Sequence, residues 1–474
     1  MAFGLFKKKT YADSVFTGGV LRTLDPETEG SAAIACKDGK ILRIGSDEDV
    51  RPLIGPDTKT VDLAGRYLCP GFIDLCGTPA QQVLEGSYLK LEPSMSAEEV
   101  AAAAEKWARQ HRPCEFILAY GWFSDEEDIP VLSEACGDIP MLIIGEDSVS
   151  MRLNGAAQRM VRERAEAETF EVAITPLYVF DTVISMDYTA MARRAFALAE
   201  GYARRGYTSV LNLEECTFFD NLYRNLLLEF FQAGCLKQRY FGAYPLKRMI
   251  NPLSVLYNLD RRRTNCSELQ GLVNFTFLNV TASSDEADPR HMTAEYLKDL
   301  CAAAADKGFC ARLNALDKPM ALAALDILGG LSTAYKKASF TVAYDAEVSD
   351  EEKADVYTGD VYEHPLNGPL PLSGSGEDML TARTENAAWR LGQRQLGSLI
   401  EGKSADFAVF SVDPASLSTP EEFDALRADL TALAGSVVWD SSLGETARDW
   451  FAAFDAQMQE ELDGEFGESD GAVV

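Results

Sequence analysis

Between Asp13 and Leu68 the chain runs in short alternating apolar and polar stretches broken by turn residues: Ser14-Val-Phe-Thr, Gly18-Gly19, Ala32-Ala-Ile-Ala-Cys, Lys37-Asp38-Gly39-Lys40 and Ile41-Leu-Arg-Ile. Alternation of period two predicts strands with one buried face. The Asp38-Gly39 pair between two such runs predicts a hairpin turn, because both turn positions need positive φ. From Ala97 to about Leu331 helical stretches alternate with apolar runs such as Phe116-Ile-Leu-Ala-Tyr, Met141-Leu-Ile-Ile and Ser209-Val-Leu-Asn-Leu. Strand and helix in alternation predict parallel β/α units. Helices are predicted over 191–205 and 294–307, where apolar residues recur at i, i+3 and i+4 and Gly206 or Gly308 follows as a stop. From Gly397 to about Ser411 the alternation returns in Ser398-Leu-Ile-Glu-Gly-Lys-Ser-Ala-Asp-Phe-Ala-Val-Phe, so the two chain ends are expected to build one β-domain together.

Composition narrows the class of partner. At 474 residues the chain exceeds what one small core can hold, which predicts a large barrel-type domain with a satellite. A net charge of −30 repels nucleic-acid phosphates and anionic lipid, so neither is an expected partner. Negative charge is scattered except from Gln457 to Asp470, which reads as a solvated tail. Ten cysteines occur without a Cys-x-x-Cys pair and read as reduced thiols, mostly buried. The start, Met1-Ala-Phe-Gly-Leu-Phe-Lys-Lys-Lys, has its charges after a short apolar stretch, the reverse of a secretory signal. No apolar run is long enough to span a membrane, and the expected location is the cytoplasm.

The segment Val61-Asp-Leu-Ala-Gly-Arg-Tyr-Leu-Cys-Pro-Gly-Phe-Ile-Asp74 resembles the entry strand of amidohydrolase-superfamily proteins, where Pro-Gly-Phe-Ile-Asp leads into a His-x-His metal motif. The run from Gly397 to Phe410 is similar to the family's closing strands, and Leu380–Gly392 to the helix before them. Gly121-Trp122, 147–157, 206–210 and 304–309 resemble landmarks of the branch called amidohydrolase family 3. The resemblance implies an α/β fold: a (β/α) TIM-type barrel over 69–394, a small composite β-sandwich domain from 13–68 and 395–440, and a C-terminal helix and acidic tail over 441–474.

In that family imidazoles, a carboxylate and often a carboxylated lysine hold one or two divalent ions at the barrel mouth and acidify a water. Carried onto this chain, the two histidines of His-x-His fall on Cys76 and Thr78. A substrate-facing histidine falls on Val149, the bridging lysine on Thr276, and the two later histidines on Asn314 and Tyr344. The last ligand, an aspartate, matches Asp360, a weak catalytic candidate. The stretch from Tyr344 to Asp360 is shorter than the family's by about one β/α unit, so the barrel is expected to be shortened there. No metal is expected, whereas zinc or another divalent ion is expected if atypical ligands such as Cys76, Asp360 and His364 serve.

Each residue also has a bland reading. His111, His291 and His364 read as ordinary polar residues, with only His364 near a candidate pocket. Cys76 reads as a small buried hydrophobe, and a thiol nucleophile is disfavoured because no histidine stands at an aligned position beside it. Thr276, Asn314 and Tyr344 read as polar fillers of a former metal cavity. Arg261-Arg262-Arg263 and Lys7-Lys8-Lys9 read as solvated. The expected function is therefore a scaffold of a metal-dependent C–N hydrolase that has lost its catalysis and keeps a binding or regulatory role. An active hydrolase with atypical ligands and an assembly subunit are the alternatives. The expected partner is a small molecule in the barrel mouth, and a homo-oligomer stays open.

Overall fold

The structure is a computed structural model that describes residues 10–122, 124, 129–146, 150–167, 173–213, 217–269, 271–356, 359–366, 369 and 371–443. Val149, the Lys7-Lys8-Lys9 run and most of the expected C-terminal helix and tail lie outside the described residues.

Strands from the early and the late part of the described chain pair with one another. Ser14–Thr17, Ala33–Lys37, Lys40–Gly45 and Lys59–Asp62 form one four-stranded sheet. Val20–Leu21 and Tyr67–Pro70 join Phe407–Phe410, Leu430–Leu433 and Ser436–Asp440 in a five-stranded one. Across this second sheet Tyr67 to Pro70 pair antiparallel with Phe410 to Phe407. Phe16, Ile34, Ile41, Leu68, Phe407 and Val409 share one apolar cluster between the two sheets, with Phe16 edge-on to Phe407 at 4.8 Å. The expected hairpin is present, with Lys37 paired to Lys40 and Asp38 and Gly39 at φ 51° and 75°.

The main sheet has seven parallel strands paired in chain order: β1 (Phe72–Gly77), β2 (Tyr207–Asn212), β3 (Arg239–Leu246), β4 (Val273–Ala282), β5 (Cys310–Ala315), β6 (Phe340–Ala343) and β7 (Tyr362–His364). The two expected helices are there, as Tyr188–Arg204 and Ala294–Asp306. Asp187 and Thr293 cap their first turns, and Gly206 and Gly308 follow at φ 82° and 80°. Along β5 the side chains alternate between two environments. Ala311, Leu313 and Ala315 pack with Leu297, Leu300 and Leu328 of the helical layer. On the other face Cys310 joins Ile73, Leu211, Phe241, Phe277 and Leu391.

The sheet curls without closing. Among the described residues no strand pairing joins β7 to β1. Between β6 and β7 the described residues hold one short helix, Asp350–Val356. The open side is covered by Gly376–Arg383 and Glu385–Arg390, two helices where one was expected. Thr384 breaks them: it is fully buried, and its hydroxyl donates to the Leu380 carbonyl at 2.6 Å.

The apolar runs at 116–120 and 141–144 do not belong to the main sheet. Ile117–Tyr120 and Met141–Ile144 pair with Leu89–Lys90 and Met151–Leu153 in a separate four-stranded sheet, while β1 pairs directly with β2. The alternation identified parallel units correctly but could not say which sheet receives them. The arginine run is not wholly solvated either. Arg262 is buried, its guanidinium over the rings of Phe275 and Tyr244 at 5.1 and 5.4 Å.

Gly71 explains why the approach to β1 needs glycine. A Cβ there would stand 2.1 Å from Oγ1 and 2.4 Å from Cγ2 of Thr208, itself buried. Gly71→Ala is expected to cost about 1–3 kcal/mol through overpacking, read as a lower urea midpoint, and Thr208→Ala in the same chain should recover only part of it, because the Thr208 Cβ also stands within 2.7 Å. Among the described residues no helix is long and apolar enough to cross a membrane.

Candidate functional site at the mouth of the sheet

In a parallel sheet of β/α units the C-terminal strand ends form the mouth. Register places Thr281, Asn314, Ala343 and His364 side by side on β4 to β7. Cys76, near the end of β1, faces them across the open side, with Sγ 3.2 Å from Nε2 of His364. The gap that backbone pairing leaves between β7 and β1 is thus spanned by a thiol–imidazole contact.

The hydrogen bonds define the chemistry of that contact. His364 Nδ1 lies 2.8 Å from the Pro365 carbonyl, which can only accept, so Nδ1 carries the proton. In the neutral ring Nε2 then presents its lone pair to the thiol. Burial, followed by the positive charge of Arg312, lowers His364 to about 4, which makes the imidazole neutral at pH 7. The Cys76 amide donates to Asp74 Oδ1 at 2.9 Å, and the Tyr202 hydroxyl donates to Asp74 Oδ2 at 3.0 Å. That brace fixes the turn carrying the sulfur.

Three guanidinium groups surround the pair. Arg312, 4% exposed, donates to Asn314 Oδ1 at 2.8 Å and approaches the Pro365 carbonyl at 3.5 Å. Arg390 donates to the Glu363 carbonyl at 3.3 Å and lies 5.2 Å over the Tyr362 ring. Among the described residues neither has a carboxylate within ion-pair distance, and both interact electrostatically with Cys76. Arg383 has Asp424 at 3.6 Å, while its Nε and that of Arg390 are buried without a hydrogen-bond partner. A cleft of about 370 Å³ reaches Cys76 between Asp74, Tyr202, Tyr207, Arg383 and Phe423, and a smaller cavity behind it touches Cys76, Arg383 and His364.

The sequence-derived candidates divide. Cys76 and Asn314 belong to this cluster, and Thr78 follows Cys76 as the residue before helix Pro79–Leu84, its side chain capping nothing. Asn314 is fully engaged, donating to Asn279, Val280 and Thr281 while accepting from Arg312. Thr276 does not join them. It occupies a bulge between β3 and β4, low on the strand, with a buried hydroxyl that has no partner. Tyr344 does not join them either: it packs against the helical layer and donates its hydroxyl to Glu363, which Lys353 also reaches at 2.7 Å. Asp360 is exposed and precedes β7, so strand polarity puts it at the end of the sheet away from the mouth. His364 holds the mouth position of this last strand instead.

The three arginines were missed by sequence reasoning, and His364 was singled out there only as the histidine near a candidate pocket and as an alternative metal ligand. Arg312 carried a legible signal, since Arg-x-Asn on a predicted strand puts both side chains on one face. For the others there was none, because their meeting depends on β7 register and on the break at Thr384.

A divalent ion does not fit this set. Cys76 and His364 are two donors of the right kind, but three cations lie beside them, and Asn314 turns its amide nitrogen toward β4. Among the described residues no group of three or more His, Cys, Asp or Glu side chains is placed to hold a metal ion.

A family model described as "Amidohydrolase family" matches residues 373–439. The chain is 27% identical over 122 residues to "Putative amidohydrolase YtcJ" of Bacillus subtilis (strain 168), covering 25% of this chain and 22% of that protein. It is 23% identical over 124 residues to "Exoenzymes regulatory protein AepA" of Pectobacterium carotovorum subsp. carotovorum, covering 26% and 27%. The matched stretches thus span about a quarter of the length of these curated relatives. Among solved structures, an uncharacterized metal-dependent hydrolase from Pyrococcus horikoshii OT3 superposes with TM-score 0.51 at 16% identity, covering 85% of this chain and 98% of that one. Atrazine chlorohydrolase TrzN from Arthrobacter aurescens TC1, complexed with zinc, superposes with TM-score 0.51 at 14% identity, covering 90% and 95%. The closing segment is thus similar in sequence to the amidohydrolase family, and the chain shares its fold with metal-dependent hydrolases of known structure.

Proposed function

We propose that this amidohydrolase-fold chain binds a small anion at the mouth of its main sheet and no longer carries out metal-dependent hydrolysis of C–N bonds. The observation that carries this is the trio Arg312, Arg383 and Arg390. Among the described residues Arg312, which is buried, and Arg390 have no carboxylate within ion-pair distance, and Arg383 has the exposed Asp424 at 3.6 Å, so an anionic ligand offsets their charge where a metal cannot. Arg383 faces both cavities, so it is the group that touches the ligand, with Arg312 and Arg390 adding charge behind it. The replaced ligand positions at Cys76, Thr78 and Asn314 support the same reading. So does the apolar cluster shared by the two small sheets, which we take as a β-sandwich retained for folding.

Succinate, phosphate and an uncharged diamide, titrated into the protein, test this by thermal stabilisation. The two anions should raise the melting midpoint in a saturable way and the diamide should not. Arg383→Met should weaken the anion response about 10- to 100-fold, the effect of one hydrogen bond to a charged group. Zinc, nickel or manganese retained stoichiometrically through dialysis, with no response to either anion, would overturn the proposal.

A further inference from the structure

The contact between Cys76 and His364 has the parts of a reactive centre rather than of a filled core. The sulfur is half-buried, lines a cleft open to solvent, and faces an imidazole lone pair whose ring is oriented by a third group, the Pro365 carbonyl. Nucleophile, base and orienting acceptor are the elements by which a thiol is activated. Neighbouring guanidinium groups favour negative charge on the sulfur. Among the other described cysteines, burial pushes Cys36, Cys235 and Cys301 up to about 12, which leaves them as thiols.

We propose that Cys76 and His364 form a nucleophile–base pair that cleaves a small carboxylate-bearing ester without metal. His364 Nε2 takes the proton of the Cys76 thiol as Sγ bonds to the ester carbonyl carbon, the carboxylate of the bound substrate offsetting the guanidinium charge that keeps the imidazole neutral in the empty site. The tetrahedral adduct collapses with loss of the alcohol, which leaves with the proton held on Nε2, and a thioester remains on Cys76. Water then attacks the thioester carbonyl and gives its proton to Nε2. Sγ departs and regains that proton, and the acid is released and gives its remaining proton to solvent, leaving as the carboxylate. No electrons are gained or lost. Arg383, lining both cavities, holds the distal carboxylate beside the sulfur; for that choice of substrate the inference rests on the anion-binding reading.

The probe is 4-nitrophenyl hemisuccinate, with uncharged 4-nitrophenyl acetate beside it. Expected are a burst of one nitrophenolate per chain and a succinyl group on the peptide containing Cys76, found by mass spectrometry in the unsubstituted protein. Cys76→Ser should abolish the burst, and His364→Gln should slow it at least 100-fold, the usual worth of a general base. The acetate should react at least tenfold more slowly. Succinylation elsewhere, or an equal burst from Cys76→Ser, overturns the pair. If both esters acylate Cys76 at one rate, the pair stands and the anion-binding reading falls. If the hemisuccinate stabilises the protein without acylating it, the anion-binding reading stands and the pair falls. Peptide mapping needs no variant, so a substitution that fails to fold leaves the test intact.

Discussion

Replacing Arg239 by methionine is expected to lower unfolding free energy by about 3–5 kcal/mol, the cost of leaving one member of a buried ion pair without its partner. Arg239 begins β3, and its Nη2 donates to Asp406 Oδ1 at 3.0 Å while Nε reaches Oδ2, a two-pronged pairing. The side chains are 11% and 4% exposed. Asp406 Oδ1 also accepts the Ala434 amide at 2.8 Å, so the pair joins the main sheet to the five-stranded one. Urea unfolding followed by circular dichroism reads the change. The double variant Arg239→Met with Asp406→Leu should recover most of the loss, because the isolated charge, rather than the missing contact, causes it. A loss below about 1 kcal/mol for Arg239→Met would mean the carboxylate finds water or another cation.

Acid should weaken the protein through His364. Its imidazole ionises near 4 in the folded chain against about 6.5 when unfolded, so between those values the unfolded chain binds the extra proton. Stability from this group is complete above about pH 6.5 and is lost as pH falls toward 4, by roughly 3 kcal/mol in all. Carboxylates contribute to acid unfolding too, so the informative quantity is a difference. Relative to His364→Gln, the wild-type chain should lose that additional amount between pH 7 and pH 4. Parallel stability curves for the two would show that the imidazole is not held neutral by burial and by Arg312, Arg383 and Arg390.

Local physics made much of the fold legible. The Asp38-Gly39 turn, the glycine stops at Gly206 and Gly308, and the alternation at both chain ends follow from backbone preference and period, which neighbours do not override. The absence of imidazoles from the aligned mouth positions was likewise plain in the sequence. What was hidden depends on pairing. Asp360 looked like the late-strand ligand by spacing, yet β7 begins after it, and register with Ala343 brings His364 to the mouth. Tyr344 looked like a cavity residue, yet it lies one position past β6 on the helix-facing side. Arg383 and Arg390 belonged to one apparent helix until Thr384 divided it. A side chain's type can be read from the chain, but its face is fixed only once register is known.

The pairing of Tyr67–Pro70 with Phe407–Phe410 also has a meaning in time. The partners are roughly 340 residues apart, so at about 5–20 residues per second a ribosome needs on the order of 20–70 seconds to supply the second after the first. Throughout that interval the strand entering the main sheet has an open edge, a template for strands of other nascent chains. Truncation anywhere before residue 407 makes that exposure permanent. Such fragments are expected to be retained by chaperones or to aggregate, even where the seven-stranded sheet is present in full.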